Sequence, residues 1–137
     1  MRKAKIQSAY DQRPDATAPV TLTLPIVPPS TNNLFVNVPG KGRIKSAEYN
    51  RWINQAGMLV RGQCRERMAV RANVSIFIEE KQGADIDNRI KPVLDLLVRV
   101  GVLAGDSAKF VRSVSATWSP EIEGMSIQVW PAPVGMP

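Results

Sequence analysis

Aspartates are the residues of this sequence best suited to chemistry, because the chain contains no histidine. Asp85 and Asp87 are two positions apart, so in an extended segment both carboxylates point the same way. Two carboxylates held close together repel each other, and a bound divalent cation removes that penalty. A ligand set made only of oxygens suits Mg²⁺, for which Mn²⁺ can substitute. The pair therefore predicts a site for a hard divalent ion.

Asp106 is a third candidate ligand, in a loop between a predicted helix and a predicted strand. A helix that leaves the Asp87 region and a strand that returns along the sheet can bring Asp106 back beside Asp85. Lys91 lies one helical turn beyond Asp87 on the same face, within reach of the carboxylates or of a bound phosphate.

A purely structural interpretation fits the same residues. An Asp-x-Asp-Asn run before an apolar helix is typical of a capped helix start, and Asp87 with Lys91 is an ordinary surface ion pair. Asp106 follows a glycine in a turn, where aspartate is common. Asp-x-Asp pairs also occur in nucleotide-sugar transferases, but 137 residues leave no room for their nucleotide-binding fold. The residues alone leave the metal site and the helix cap both open.

The composition excludes other kinds of chemistry. The absence of histidine removes Ser-His-Asp and Cys-His catalysis, together with the commonest transition-metal ligand. The single cysteine, Cys64, leaves no internal disulfide and no zinc-binding spacing. A net charge of +6 favours a polyanionic partner, because cationic side chains displace counterions from a phosphate backbone.

The apolar positions predict strands and helices that would hold these side chains. Residues 20–24 alternate apolar and polar side chains, which indicates a half-buried strand. A turn-rich proline loop follows at residues 28–33, and PGKGRIK at residues 39–45 is typical of a flexible basic loop. Further strands are predicted at residues 74–79, 110–118 and 125–130.

Two helices are expected between these strands. Ser46 can cap the first, whose apolar residues recur with a helical period. The second runs from about residue 87 to residue 100 and stops at Gly101. Pro92 predicts either a local distortion or a helix start nearer Asn88. The resulting order, β-α-β-α-β-β, predicts an α+β fold in which two helices pack on a mixed sheet.

The length predicts a single domain over residues 20–130, between a loose basic tail at residues 1–19 and a loose tail at residues 131–137. The first 19 residues lack the apolar segment of a signal peptide. No apolar run approaches the roughly 20 residues that a membrane helix needs. We therefore expect a cytoplasmic protein that does not interact with membranes.

The ordered set of motifs resembles the RusA family of Holliday junction resolvases, over about residues 20–130. The matching stretches are LPIVPPSTNN (24–33), KSAEY (45–49), DIDNRIK (85–91), LDLL (94–97) and GVL (101–103), followed by Asp106. The run DIDNRIK is the most specific of them. At position 105, where the family often has a second acid, this chain has glycine.

The resemblance implies that Asp85, Asp87 and Asp106 bind a catalytic Mg²⁺ and that Lys91 is a functional basic residue. It also implies a homodimer that resolves Holliday junctions by paired symmetric nicks in DNA recombination and repair, without a small-molecule cofactor. With no histidine present, the metal must supply the nucleophile for phosphodiester hydrolysis. Two other functions are considered: a catalytically inactive branched-DNA-binding protein of the same fold, and a basic structural or interaction protein.

Basic residues are the expected contacts with four-way-junction DNA. Lys41, Arg43 and Lys45 lie on the predicted basic loop, and Arg89 lies within the DIDNRIK run. Phe35, just beyond the proline loop, is a candidate to reach DNA, with a hydrophobic anchor or a dimer contact as alternatives.

Overall fold

The computed structural model of this chain describes residues 8–133. Its strands and helices confirm a small α+β fold with a mixed sheet and two helices. In chain order they are β1 (Val20–Leu24), β2 (Phe35–Val38), β3 (Gly42–Lys45), α1 (Ala47–Gln63), β4 (Ala72–Glu79), α2 (Ile90–Val100), β5 (Val111–Ser119) and β6 (Met125–Pro131). Apart from the β2–β3 hairpin, this is the predicted order.

Four strands form the main sheet in the order β1-β6-β4-β5. β6 runs antiparallel to both of its neighbours, whereas β4 and β5 run parallel. Because β4 and β5 are parallel neighbours, the chain must cross over from the end of β4 to the start of β5. It does so through α2 and the loop after it. Alternate residues of the strands, among them Leu22, Ile76 and Ile127, are fully buried and join both helices in one apolar core.

The ends of the two helices follow the sequence prediction. The Ser46 hydroxyl accepts a hydrogen bond from the Tyr49 N–H at 3.1 Å and so caps α1. Gly101 closes α2 with a left-handed φ of 89°, and its N–H donates to the carbonyls of Leu97 and Val98. Trp52 is buried in the core, as expected.

Pro92 explains how α2 begins. A 3₁₀ turn over Asp87–Arg89 precedes the α-helix, which starts at Ile90, so the predicted distortion is present. In a continuous α-helix the residue at position 92 would donate its N–H to the Asn88 carbonyl, but proline has no N–H. The Thr31 hydroxyl donates to that carbonyl instead, at 2.8 Å. The proline loop therefore supports the segment that carries Asp85 and Asp87.

The prediction of a flexible loop at residues 39–45 is wrong. β2 and β3 pair there as an antiparallel hairpin, which forms a separate two-stranded sheet. Gly40 and Gly42 have φ values of 78° and 74° at the turn, a conformation that glycine adopts without steric cost. Most hairpin side chains are exposed, so the sequence lacks the apolar alternation that identifies a half-buried strand.

The described part of the N-terminal segment, residues 8–19, is anchored to the domain rather than loose. Arg13 donates to the carbonyls of Val100 and Cys64, and Asp15 forms an ion pair with Arg67 at 2.9 Å. At the other end, β6 includes Pro131, and the Ala132 N–H donates to the Arg71 carbonyl. Residues 1–7 and 134–137 of the predicted tails lie outside the described residues.

Neither α1 nor α2, the α-helices found over residues 8–133, is long and apolar enough to cross a membrane.

Candidate active site

A cleft of about 420 Å³ lies where the hairpin, α1, α2 and the loop after α2 meet. Its charged lining residues are Lys45, Lys91, Asp95, Arg99 and Asp106. Three of these, Lys45, Lys91 and Asp106, were predicted as site residues from the sequence. The fold therefore brings one residue of the hairpin, one of α2 and one of the following loop to the same cavity.

Lys91 is the link between the two acidic side chains of this cleft. Its Nζ lies 3.0 Å from Asp95 Oδ1 and 3.1 Å from Asp106 Oδ2. The hydrogen bonds to Asp95 and then to Asp106 raise the pKa of Lys91, because both stabilise the charged ammonium. The surface pair of Lys91 with Asp87 does not occur among the ion pairs of residues 8–133.

Asp95 is held from a second side, by α1. The Tyr49 hydroxyl donates to Asp95 Oδ2 at 3.0 Å, from a residue that is only 1% exposed. Burial of the hydroxyl raises the pKa of Tyr49, and the negative charge of Asp95 raises it further. The two oxygens of Asp95 thus have different partners, Lys91 and Tyr49.

Asp85 and Asp87 lie in the segment between β4 and α2, and both are exposed. Ile86 precedes the 3₁₀ turn and Arg89 precedes α2, and neither residue gives a side-chain cap. Throughout the described chain, no hydrogen bond or ion pair engages the carboxylate of Asp85 or of Asp87. The interpretation of this pair as a helix cap is therefore wrong.

The three aspartates fit Mg²⁺ by their chemistry, because carboxylate oxygens are the ligands that this ion prefers. Among the residues that the structure describes, Asp85 and Asp87 have no partner to lose, whereas Asp106 shares its carboxylate with Lys91. Over residues 8–133, however, no three His, Cys, Asp or Glu side chains are grouped closely enough to hold a metal ion. The structure brings Asp106 to Lys91 but does not gather all three acids, and the metal site stays a prediction.

Gly105 has a steric explanation. A Cβ atom at this position would lie 2.7 Å from the ring of Phe110, closer than real Cβ contacts allow. A second acid beside Asp106 would therefore require the Phe110 ring to move. In this chain the space beside Gly105 is occupied by the Phe110 ring.

The residues predicted to contact DNA fall into two groups. Arg43 lies over the Phe35 ring at 4.4 Å, Lys45 lies 5.5 Å from the Tyr49 ring, and Lys41 is exposed at the hairpin turn. These three form one basic edge beside the cleft. Arg89 differs, because it is half-buried and donates to the Pro28 carbonyl at 2.7 Å. Its contact ties the proline loop to the 3₁₀ turn, which the sequence did not indicate.

Asp95 and Tyr49 were missed as site residues by the sequence reasoning. The spacing of Lys91 and Asp95 by four positions on a helix was a signal for their ion pair. Tyr49 carried no signal for its hydrogen bond, since its spacing on α1 indicated a core residue. Phe35 is 36% exposed and stacks on Tyr49, with ring centroids 6.4 Å apart, so it forms the aromatic wall of the cleft.

Comparison with known proteins adds no relative. A scan against protein-family models gave no match, and a search of curated proteins found none either. The resemblance to the RusA family therefore remains an expectation that comes from the motifs.

Proposed function

We propose that this chain is a Mg²⁺-dependent, structure-selective endonuclease of the RusA kind, which resolves Holliday junctions by paired nicks and acts as a homodimer. The observation that carries the proposal is the state of Asp85 and Asp87. They are two positions apart, both are exposed, and neither has a cap or ion-pair role in the described chain. Carboxylates that have no structural partner are available to bind a hard cation such as Mg²⁺.

Asp85, Asp87 and Asp106 would hold the ion, which would supply a hydroxide from bound water near neutral pH and neutralise charge on the phosphate. The protein's own contribution begins with Lys91, whose ammonium group is already fixed in the cleft. There it would donate hydrogen bonds to the phosphate oxygens as their negative charge develops.

Binding of the DNA would depend on the basic residues around the cleft. Lys45 and Arg99 line it, and Lys41 and Arg43 extend the positive surface along the hairpin. Contacts of this kind position a phosphate backbone without reading its sequence. A four-way junction has near two-fold symmetry, so an isologous dimer would present one site to each of two opposed strands.

Cleavage of a synthetic four-way junction, with and without Mg²⁺ and beside a linear duplex, tests the proposal. We expect Mg²⁺-dependent cutting of the junction in preference to the duplex. The variant Asp85→Asn should lose about a hundredfold or more in cleavage rate. Its affinity for the junction should be retained, because the substitution removes a negative charge near phosphate.

Glu66→Gln is the matched control, since it removes one exposed carboxylate six residues before the start of β4, whereas Asp85 lies six residues after the end of that strand. It should cut like the parent. If Asp85→Asn also cuts like the parent, the assignment of the active site fails.

The rival function, an inactive branched-DNA-binding protein, is favoured by the lack of a three-acid group in the described residues. It predicts junction binding without cleavage in either Mg²⁺ or Mn²⁺. It also predicts that neither ion raises the melting temperature of the parent above that of Asp85→Asn.

A further inference from the structure

Hydrogen bonds connect α1, α2 and the loop after α2 across the cleft. They begin at the buried hydroxyl of Tyr49, which donates to Asp95 Oδ2 at 3.0 Å. Asp95 Oδ1 then accepts from Lys91 Nζ at 3.0 Å, and Lys91 donates to Asp106 Oδ2 at 3.1 Å. The three elements therefore share one continuous series of hydrogen bonds. Tyr49 comes from α1, Lys91 and Asp95 come from α2, and Asp106 comes from the loop.

We infer that Asp95 is a positioning residue, which holds the Lys91 ammonium group against Asp106 and is itself oriented by the Tyr49 hydroxyl. The inference rests on the proposed function, because it assigns Asp95 a part in the same reaction. Asp95 would act through Lys91 and would not touch the DNA.

A lysine without such support would be a poor donor. The side chain has four rotatable bonds and is about half exposed here, so on an isolated helix it would sample many rotamers. Two carboxylates on different elements confine the ammonium group to the space between them. A donor that is already in place when charge develops on the substrate is worth more than one that must be ordered first.

Tyr49 distinguishes this arrangement from an ordinary surface ion pair. An exposed pair of charges four residues apart on a helix contributes little and leaves the carboxylate free to rotate. Here the second oxygen of Asp95 is fixed by a hydroxyl on a rigid, capped helix, because the Tyr49 N–H is bonded to Ser46. The carboxylate therefore has one orientation, and the Lys91 ammonium group is placed accordingly.

The first test measures cleavage by Asp95→Asn, which keeps the side-chain size and removes the charge. We expect kcat on a four-way junction to fall tenfold to about a hundredfold, while Kd for the junction changes less than about twofold. Tyr49→Phe, which removes only the hydroxyl, should lower kcat by a smaller factor.

In a Lys91→Met background, Asp95→Asn should have no additional effect on kcat, because there is no ammonium group left to position. An additional loss in that background would show a structural role and overturn the inference.

The second test does not depend on activity. In protein labelled with ¹⁵N-lysine, we expect the Lys91 ammonium signal to be observable in the parent and lost in Asp95→Asn and weakened in Tyr49→Phe. Lys81, which is exposed and has no side-chain partner over residues 8–133, is the reference for a free ammonium group. An unchanged Lys91 signal in Asp95→Asn would overturn the inference.

The two tests separate the failure of this inference from the failure of the proposed function. A parent protein that cuts no junction would refute the proposed function and with it the part of Asp95 in catalysis, while the lysine signals still decide whether Asp95 positions Lys91. An active parent whose Asp95→Asn variant loses the Lys91 signal but keeps its kcat would show that this positioning is not used. If Asp95→Asn fails to fold, as judged by its melting curve, Tyr49→Phe decides both tests on its own.

Discussion

At the scale of single residues, the Tyr49 hydroxyl is the buried end of the hydrogen-bonded series in the cleft. Solvent scarcely reaches it, and it donates to Asp95. Ionisation would place a phenolate in a buried site next to a carboxylate, which is why its pKa is raised. The proton therefore stays on Tyr49 at neutral pH, so the hydroxyl remains a donor to Asp95.

The raised pKa of Tyr49 predicts a loss of stability in alkaline solution. Tyrosine in the unfolded chain titrates near pH 10, whereas the folded protein keeps this proton to higher pH. Its contribution is complete below about pH 10 and is lost as the pH rises towards the folded-state pKa, because the unfolded chain releases the proton first. Between about pH 9 and pH 11, the free energy of unfolding in urea should fall more for the parent than for Tyr49→Phe. Equal declines in the free energy of unfolding of the parent and of Tyr49→Phe would contradict this prediction.

The sequence identified part of this network but not the residues that complete it. Lys91 was predicted because it lies one helical turn beyond Asp87, and Asp106 because a returning strand could bring its loop beside Asp85 and because the RusA pattern has an acid there. Asp95 was in the motif LDLL, but a charge on a helix usually faces solvent. Its hydrogen bond with Tyr49 depends on α1 packing against α2, which brings together two residues that are 46 positions apart in the sequence. A contact of this range leaves no local pattern in the sequence.

At the scale of elements, the spacing of apolar residues was sufficient to predict a helix or a strand wherever one face of that element is buried. Both helices and the four strands of the main sheet were predicted for this reason, and β1 was predicted with its exact bounds. The hairpin was missed because little of β2 or β3 is buried. Its position against α1 is stabilised by contacts of Phe35 and Lys45 with the Tyr49 ring, and side-chain contacts of this kind leave no periodic pattern in the sequence.

The end of α2 gives a prediction at this scale. Gly101 has a left-handed φ, which costs other residues roughly 1–2 kcal/mol. A Cβ atom there would also lie 2.5 Å from the backbone of Ala9 and Tyr10. Gly101→Ala should therefore lower the free energy of unfolding by about 2 kcal/mol or more, measured in urea.

Gly62 is the matched control for this substitution. It lies in the last turn of α1, and a Cβ atom there would meet no atom within 4 Å. Gly62→Ala should raise the free energy of unfolding by about 0.5 kcal/mol, because alanine has the better helix propensity. Equal effects of the two substitutions would mean that the left-handed turn and the N-terminal contact do not matter.

At the scale of the whole molecule, the segment over residues 8–16 connects the ends of both helices. Arg13 Nε donates to the carbonyl of Val100, the last residue of α2, at 2.8 Å. Arg13 Nη1 donates to the carbonyl of Cys64, the residue after α1, at 2.7 Å. The Arg13 guanidinium therefore donates hydrogen bonds to carbonyls at the C-terminal ends of both helices. Its positive charge also suits the negative ends of the two helix dipoles. The polar composition of the segment gave no indication of this role.

Loss of the Arg13 contacts should destabilise the fold without damaging the candidate site. Arg13→Met removes both donors and leaves two carbonyls without partners, so the free energy of unfolding should fall by about 2–3 kcal/mol. Arg71→Met is the control, because Arg71 is exposed and its side chain has no partner in residues 8–133; its effect should stay within about 0.5 kcal/mol. Junction cleavage by Arg13→Met, measured well below its melting temperature, should equal that of the parent, since Arg13 does not line the cleft. A variant as stable as the parent would show that the N-terminal segment is not needed to join the two helices.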